Sequence, residues 1–395
     1  MRFDKLKDFH RQKLGTLCTI VGGYAFDSKK MIPKGNYQIV KMGNFYAGKL
    51  DLSRTPTFLD NPTQSELSAL LKKHDIVITL TGTVNKKDYG YTVQINNENN
   101  LLLNQRCALI RAKNNIDSNY LLYLLKANEF LSQFYASSVG GTGNQTNVSI
   151  KAIEQFIVSI PHLDEQKRIG KFLSDIDKRI LVQNKIISDL KVLKKELCNK
   201  LFISSYCDKT IEIRQVANVY GGYAFNSKTY ISDGKYKIVT IGNVTGDKYI
   251  SGDYNRLDIL PDNIQKQQIL NNGDILISLT GNVGRISVVD GDNYLLNQRV
   301  AKLNVKNNLI KAYIYQYLSN SSFEKDMSSA GQGAAQKNIK NEDILSYNIR
   351  IPTSQTYLEK IDGLLSTYDK LIANEERILA NLYLQKSFLL NAMFI

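Results

Sequence analysis

VGGYAFDSKK, at residues 21–30, returns at residues 220–229 as YGGYAFNSKT, with seven of ten positions identical. Three further blocks recur in the same order: YQIVKMGNF (37–45) as YKIVTIGNV (236–244), DIVITLTGTV (75–84) as DILISLTGNV (274–283), and LLNQR (102–106) unchanged at 295–299. The offset falls from 199 to 193 residues before the last block, in a polar stretch where a loop changes length at little energetic cost. Chance would not keep four blocks in order, so the sequence indicates an internal duplication.

The first part of each copy has a residue pattern that predicts strands. Short β-branched and aromatic runs alternate with Gly, Asn and Asp, as in strands joined by turns. One helix is expected within this part of the first copy, over residues 120–134, where apolar residues fall at helical spacing. The sheet-rich part ends at Pro161 in the first copy and at Pro352 in the second, because a proline disfavours a helical conformation of the residue before it.

After each proline the apolar residues follow a heptad pattern of alternating four- and three-residue steps. Such a pattern, sustained for about five heptads, is typical of a coiled-coil seam. Residues 163–201 carry ten Lys+Arg and six Asp+Glu, whereas residues 353–395 carry four and five. We therefore expect the two helices to pack against each other, antiparallel, within the chain. The alternative is two independent amphipathic helices, each lying on its own domain.

The predicted seam is broken by polar residues at equivalent places, Gln183 and Lys194 in the first helix and Glu375 and Lys386 in the second. The apolar seam positions are Ile169, Leu173, Ile176, Ile180, Ile187, Leu190 and Leu197, then Ile361, Leu365, Tyr368, Ile372, Leu379, Leu382 and Leu389.

These features predict an α+β fold. It consists of two similar sheet-rich domains, separated by two long helices packed as an antiparallel coiled coil. We expect the first domain at residues 1–160, a central helix at 161–203, the second domain at 204–351 and a C-terminal helix at 352–395.

The charge of the chain points to a polyanionic partner. Lys+Arg number 51 and Asp+Glu 37, a formal net charge of +14, which suits nucleic acid or an anionic membrane surface. No apolar run approaches the ~20 residues of a membrane span, and the first residues lack the apolar core of a signal peptide. We therefore expect a cytoplasmic protein that does not insert into a membrane. Four cysteines without a CxxC pair suggest reduced, structural thiols.

Several classes of enzyme are disfavoured by what the sequence lacks. The three histidines are widely spaced and form no Cys/His cluster, so no metal site is expected. There is no GxxxxGK[ST] loop for nucleotide phosphates and no Asn/Asp-Pro-Pro-aromatic signature of amino-methyltransferases. Pro261-Asp262 is not followed by the acidic-x-Lys triplet of a nuclease. The sequence predicts a binding protein, with no catalytic residue, metal or cofactor.

Three recurrent polar blocks are candidates for contact with nucleic acid. A Thr-Gly turn beside cations lets the backbone approach phosphates, although it could be a plain hairpin or bulge turn. An Asn-Gln-Arg block offers side chains that pair with adenine and guanine. Because it is identical in both copies, shared architecture or phosphate positioning is the alternative. A glycine-rich loop before the last strand carries many amides, but could also be a linker.

The candidate residues of the first block are Gly82, Asn85, Lys86, Lys87, Gly281, Asn282 and Arg285. Those of the second block are Asn104, Gln105, Arg106, Asn297, Gln298 and Arg299. Those of the glycine-rich loops are Thr142, Asn144, Gln145, Gln332, Gln336 and Lys337.

Two sheet-rich domains, each followed by a long heptad helix, resemble the specificity subunit of type I restriction-modification systems. The motifs Gly-Gly-Tyr-Ala-Phe, Leu-Thr-Gly-x-Val, Leu-Asn-Gln-Arg and Pro-x-x-x-Glu-Gln-Lys-Arg-Ile carry this resemblance, which covers essentially the whole chain. It implies that each domain is a target-recognition domain reading one half of a bipartite site in double-stranded DNA. It also implies that the helices hold the domains apart and dock two methyltransferase subunits, which restriction subunits join.

The resemblance transfers Glu165 and Gln166 to the start of the first helix as docking residues. The second copy has no Glu-Gln pair after Pro352, which puts equal docking at the two ends in doubt. Bases are expected to be read by the stretches that differ between the copies, residues 46–74, 86–100, 245–273 and 285–293. The alternatives are a free-standing bipartite DNA-binding protein or repressor, and a DNA-modifying enzyme in its own right.

Overall fold

The computed structural model describes residues 9–46, 48–140, 144–330 and 338–394. It consists of two compact units, one formed by residues 1–183 with 378–395 and the other by residues 184–377. We call them the first and the second unit. Each contains one sheet-rich domain and one end of each long helix.

The first unit is built around a four-stranded antiparallel sheet, in the order β2-β11-β7-β9, and a three-stranded sheet, β10-β3-β6, in which β3 and β10 are parallel. Strands β1 and β14 pair at its boundary, with His10 opposite Ile160. Its elements are β1 (His10–Lys13), α1 (Leu14–Leu17), β2 (Cys18–Gly22), β3 (Tyr37–Val40), β4 (Phe45–Tyr46), β5 (Lys49–Leu50), β6 (Phe58–Leu59), β7 (Ile76–Thr79), β8 (Thr81–Thr83), β9 (Thr92–Gln94), β10 (Leu101–Leu103), β11 (Cys107–Ala112), α2 (Ser118–Leu124), α3 (Asn128–Ala136), β12 (Val139–Gly140), β13 (Gln145–Asn147), α4 (Ile150–Gln155) and β14 (Ile157–Ile160).

The second unit repeats this plan. Its four-stranded sheet is β16-β23-β20-β21, its second sheet is β18-β17-β22-β19 with β17 and β22 parallel, and β15 pairs with β24 at its boundary. Its elements are β15 (Lys209–Glu212), α6 (Ile213–Val216), β16 (Ala217–Gly221), β17 (Tyr236–Val239), β18 (Asn255–Leu257), β19 (Ile269–Leu270), β20 (Ile275–Ser278), β21 (Ile286–Val288), β22 (Tyr294–Leu296), β23 (Val300–Val305), α7 (Asn308–Leu318), α8 (Ser321–Ala330), α9 (Asn341–Leu345) and β24 (Asn348–Ile351). The long helices are α5 (Leu163–Ile203) and α10 (Gln355–Met393).

The recurrent block DIVIT explains how each unit holds two apolar layers. Strand β7 is buried on both faces: Ile76 and Ile78 contact the core under the helices, while Val77 contacts the core of the three-stranded sheet. Successive side chains of a strand point to opposite faces, so one strand serves both layers. Strand β20 divides Ile275 and Leu276 between two cores in the same way.

The two long helices pack antiparallel, as predicted. In the first unit, Leu173 of α5 and Leu382 of α10 belong to one core. In the second unit, Lys191 of α5 pairs with Glu376 of α10 at 2.7 Å, and Lys194 pairs with Asp369 at 2.5 Å. Residues further along α5 contact residues that come earlier in α10, which is the order of an antiparallel pair. The fold class is therefore confirmed, and two independent helices are excluded.

Most predicted seam positions are enclosed. Fully buried are Ile169, Leu173, Ile176, Ile180, Ile187, Ile361, Leu365, Ile372 and Leu382; partly buried are Leu190, Leu197, Tyr368, Leu379 and Leu389.

The helix predicted over residues 120–134 is in fact two helices, α2 and α3. Leu125 closes α2, and Ala127 adopts an extended conformation before α3 begins. Both residues are buried, so packing of this bend into the core prevails over the local helical spacing. Among the described residues, no helix is long and apolar enough to cross a bilayer. All four cysteines are buried and unpaired, and burial raises the pKa of Cys18 and of Cys107 to about 12.

Candidate nucleic-acid interface

The parallel pairing of β3 and β10 brings two recurrent blocks to one edge of the first unit. Both strands end at this edge, and the Asn104 amide donates to the carbonyl of Val40 at 3.0 Å. The next amide, of Gln105, donates to Tyr24 of the Gly-Gly-Tyr-Ala-Phe block at 3.0 Å. A methyl group on Gly23 would lie 2.1 Å from the Asn104 carbonyl oxygen, which explains a glycine in this block.

Strand β7 delivers the Thr-Gly block to the same edge. The Leu80 amide, just after β7, donates to the carbonyl of Arg106 at 2.9 Å. Strand β8 then pairs with β13, which carries the described end of the glycine-rich loop, and the Val84 amide donates to Asn144 at 3.1 Å. The structure thus brings the three candidate blocks of the first unit together.

Most candidate side chains at this edge face solvent. Exposed are Asn85, Lys86, Lys87, Gln105, Arg106, Asn144 and Gln145, while Asn104 is partly buried. The Lys87 ammonium also lies 5.3 Å from the ring centroid of Tyr135, a cation–π contact. Exposed amides and cations side by side suit phosphates and base edges.

Gly82 packs closely against side chains of its own unit. A methyl group there would lie 2.2 Å from the ring of Tyr89, which is buried. The carboxylate of Asp88 covers the same turn and accepts bonds from the amide and the hydroxyl of Thr83 at 2.8 and 2.7 Å. Packing inside the unit is therefore sufficient to explain a glycine here, and contact of Gly82 with DNA stays a prediction.

The Asn-Gln-Arg block of the second unit is held by the same backbone bonds. The amide of Asn297 donates to Val239 at 3.2 Å, and that of Gln298 donates to Tyr223 at 2.9 Å. The carbonyl of Arg299 accepts from Leu279 at 3.0 Å. Side chains of Gln298 and Arg299 are exposed, and Asn297 is partly buried. The repeated residues therefore share both a frame and an outward orientation.

The other second-unit candidates are less uniform. Gly281 has φ of +76° and is exposed together with Asn282. Arg285 is not free for a phosphate in this structure, because its guanidinium pairs with Glu324 of α8 at 3.2 Å. Thr142, Gln332, Gln336 and Lys337 lie outside the described residues.

Some charged side chains form ion pairs within their own domain. Asp75, which opens the DIVIT block, is buried and receives two bonds from the Arg111 guanidinium at 2.7 and 2.6 Å. This carboxylate raises the pKa of Arg111 further above its usual value. In the second unit, Asp274 pairs with Lys302 at 2.6 Å. In the described ranges, no group of three or more His, Cys, Asp or Glu side chains could hold a metal ion.

The two residues transferred to the start of α5 lie in different environments. Gln166 is 1 % exposed. Its side-chain Oε1 accepts from the backbone amide of Asp117 at 2.9 Å, and its Nε2 donates to the Pro161 carbonyl at 2.9 Å. It ties the helix to its own domain and offers no surface to a partner. Glu165 is more accessible and pairs with Arg168 at 2.9 Å.

Sequence reasoning missed two buried asparagine side chains, Asn44 in the block YQIVKMGN and Asn243 in the block YKIVTIGN. Their repetition was a usable signal, because a polar residue retained in both copies among apolar ones needs a structural reason.

Comparison with known proteins matches residues 7–192 and 209–383 to the family described as the type I restriction modification DNA specificity domain. The chain belongs to this family. Its members are specificity subunits, which confirms the expected class and the expected absence of a catalytic function.

Two curated relatives come from Methanocaldococcus jannaschii. The type I restriction enzyme MjaVIII specificity subunit is 28 % identical over 279 residues, which span 64 % of this chain and 64 % of that protein. The putative type I restriction enzyme MjaX specificity subunit is 24 % identical over 342 residues, 82 % of this chain and 79 % of that protein.

Solved structures share the fold. The S subunit of a type I restriction-modification system from M. genitalium has a TM-score of 0.58 at 16 % identity, covering 100 % of this chain and 98 % of that one. A chain from a study of complex assembly and conformational transition of the type I R-M system has a TM-score of 0.56 at 16 % identity, with 97 % of each chain covered.

Proposed function

We propose that this chain reads a bipartite site in double-stranded DNA, one half-site for each unit, and directs partner methyltransferase and restriction subunits to that site. The observation that carries the proposal is the duplicated edge. In each unit, an identical backbone frame holds Gln105 and Arg106, or Gln298 and Arg299, with their side chains in solvent. Two copies of one frame in one chain suit two half-sites.

The charge of the chain sets the first test. Because neutralising phosphates releases counterions, the full chain should bind DNA with an affinity that falls steeply with salt. Arg106→Gln and Arg299→Gln should each lower the slope of log affinity against log salt by about 1. Selection from random DNA should yield two short blocks separated by indifferent bases. A slope near zero, or one contiguous block, would contradict the proposal.

Partner docking is supported by apolar side chains outside the seam. Phe172, Ile186 and Leu193 of α5 are exposed, and so are Leu364, Leu371 and Ile378 of α10. They fall at heptad spacing, immediately before the seam positions, and thus form a second apolar line on each helix. Exposed apolar lines of this kind mark protein–protein contact. A free-standing repressor would have no use for them, so we favour a chain that works with partner subunits.

The docking proposal is tested by charge substitution on this line. Leu371→Asp should prevent co-purification of the methyltransferase while DNA binding by the chain stays within about twofold, since Leu371 is already exposed. Lys370→Asp is the control, a larger charge change on the neighbouring exposed face. Equal retention of the methyltransferase by both variants would place docking elsewhere.

A further inference from the structure

Asn44 lies in the turn after β3, and its carboxamide is used completely by backbone groups. Its Oδ1 accepts from the Lys41 amide at 2.8 Å, while its Nδ2 donates to the carbonyls of Asp51 at 3.1 Å and Arg54 at 2.7 Å. The side chain is 1 % exposed. Losing such an amide leaves buried carbonyls without a donor, which is costly. Asn44 therefore fixes the path of the chain as it returns towards β6.

Asn243 makes the same set of bonds in the second unit. Its Oδ1 accepts from the Thr240 amide at 2.9 Å, and its Nδ2 donates to the carbonyls of Ser251 at 3.0 Å and Asp253 at 2.9 Å. It is 2 % exposed. We call this arrangement the asparagine clamp; the duplication has preserved it in both units.

The clamp is shared, but the loops that it holds are not. The clamped loop reads DLSRTPT at residues 51–57, before β6, and its counterpart is the shorter SGDY at residues 251–254, before β18. A protein that reads two different half-sites needs one frame that carries unlike side chains. The Asn-Gln-Arg blocks are identical in both units and cannot supply that difference. The clamped loops can.

The first clamped loop is held in a strained conformation. Thr55 has φ of +43°, a region that β-branched side chains rarely adopt; among the described residues with positive φ, no other is β-branched. Its neighbours are fixed, because Gln38 Nε2 donates to the Leu52 carbonyl at 2.7 Å and Lys41 Nζ to the Thr57 hydroxyl at 2.8 Å. Strain of this kind persists only where the surroundings impose it, and it concentrates at functional sites.

The clamped loop also lies at the interface edge. It leads into β6, and its Thr57 carbonyl accepts from the Ile39 amide of β3 at 2.8 Å. The next residue of β3, Val40, receives the Asn104 amide at that edge. Within the loop, the side chains of Arg54 and Thr55 are exposed. An arginine guanidinium can make two bonds to one guanine in the major groove, which is the commonest specific contact.

We propose that residues 51–57 form the specificity-determining loop of the first half-site, with Arg54 and Thr55 at the bases and Asn44 as the positioning residue. The inference rests on the proposed DNA-reading function and deepens it. In this scheme the identical Asn-Gln-Arg blocks position phosphates in both half-sites, and the clamped loops supply the difference between them.

The test uses the full chain and selection from random DNA. Asn44→Asp keeps the acceptor for Lys41 but replaces the donor by an oxygen that faces two carbonyls, so the loop is released. We expect the preference between the selected and mismatched bases of one half-site to fall about tenfold, with the other half-site read as before. Asn243→Asp is the matched variant and should affect only the other half-site. The unaffected half-site shows in each case that the chain is folded.

Two further variants separate reading from folding. Thr55→Gly removes the strain, so the thermal midpoint should not fall, yet the same half-site should lose preference. Arg54→Ala should change the base selected at one position. If the wild type selects a bipartite site, and Asn44→Asp and Arg54→Ala select the same site with the same preference, the inference is wrong. If the wild type selects no bipartite site, the proposed function itself fails, and the inference with it.

Discussion

At the residue scale, the clearest cost to stability is Lys126 in the first unit. Burial, reinforced by repulsion from Lys386, lowers the pKa of Lys126 to about 8. Both ammonium groups lie near the Tyr123 ring, at 5.7 and 5.8 Å from its centroid, and the Tyr123 hydroxyl donates to Asp177 at 2.8 Å. One carboxylate therefore serves two nearby cations, and Lys126 is the less well compensated of them.

Lys126→Met should stabilise the protein at neutral pH. Below pH 8 the folded state holds this lysine charged at a cost. Above it, the folded state releases a proton that the unfolded chain keeps, so wild-type stability rises with pH. We expect the variant to gain about 1–2 kcal/mol at pH 7, less than the full shift implies because the side chain is partly exposed. Urea titration at pH 7.0 and 9.5 measures this, and the gain should shrink at the higher pH.

The control is Lys167→Met, on an exposed position of α5. Its effect should be small at both pH values. A gain for Lys126→Met that is equal at pH 7.0 and 9.5 would mean that packing of the methionine, and not the charge, is responsible.

Residues such as Lys126 mark where sequence reasoning stops. The exposed amides and cations of the interface could be predicted, because polar blocks that recur between strands stand out in the sequence. The burial of Lys126 and of Gln166 could not. Lys126 lies near Asp177 and Lys386, and Gln166 bonds Asp117, so these contacts come from distant parts of the chain and the neighbours in sequence give no sign of them.

At the element scale, the two lysine breaks in the helix seam are each paired with an aspartate of the other helix. Lys386 contacts Asp177 in the first unit, and Lys194 contacts Asp369 in the second, each at 2.5 Å. The heptad pattern located the lysines but not the aspartates, which lie one residue after the seam positions Ile176 and Tyr368. A strict four-and-three count assigns such residues to the flank of the seam. At the second of these places Asp369 is more buried than Tyr368.

A double-mutant cycle measures what this pairing contributes. Asp369→Leu leaves the mostly buried Lys194 without its carboxylate and also removes the acceptor of Gln316, so we expect a loss of about 3–5 kcal/mol in unfolding free energy. Adding Lys194→Leu should recover more than half of the loss, because two apolar residues can pack where one unpaired charge cannot.

The same cycle on Lys191 and Glu376 is the control, since both side chains of that pair are about half exposed. Its coupling should be at most about 1 kcal/mol. Equal couplings for the two pairs would contradict a role of burial in the Lys194–Asp369 bond.

At the scale of the whole molecule, the duplication was predictable and the compact units were not. The repeated blocks predict two domains with a break at each proline, at Pro161 and Pro352. The compact units instead divide α5 after Gln183 and α10 after Arg377. The physical reason is the antiparallel packing, which gives each unit one end of each helix. The antiparallel order was itself predicted, but the breaks at the two prolines assign each helix as a whole to a segment of its own.

Each sheet-rich domain is closed by its own terminal strands, which makes it exchangeable. Lys209 pairs with Ile351 in the second unit, so a segment cut at these residues begins and ends at neighbouring points. Each unit also has its own apolar core. Replacing residues 209–351 by the equivalent segment of a relative should therefore change one half-site of the selected DNA and leave the other unaltered.

Exchanging the first domain instead of the second gives a stricter test of this prediction. His10 pairs with Ile160 in the first unit, so residues 10–160 can be replaced on the same principle. The two exchanges should alter opposite half-sites, and a chain carrying both should select the relative's two half-sites. Because the helices stay unchanged in all three chimaeras, co-purification with the methyltransferase should persist. A single exchange that alters both half-sites would show that the domains read DNA jointly, and one reader for each unit would then be untenable.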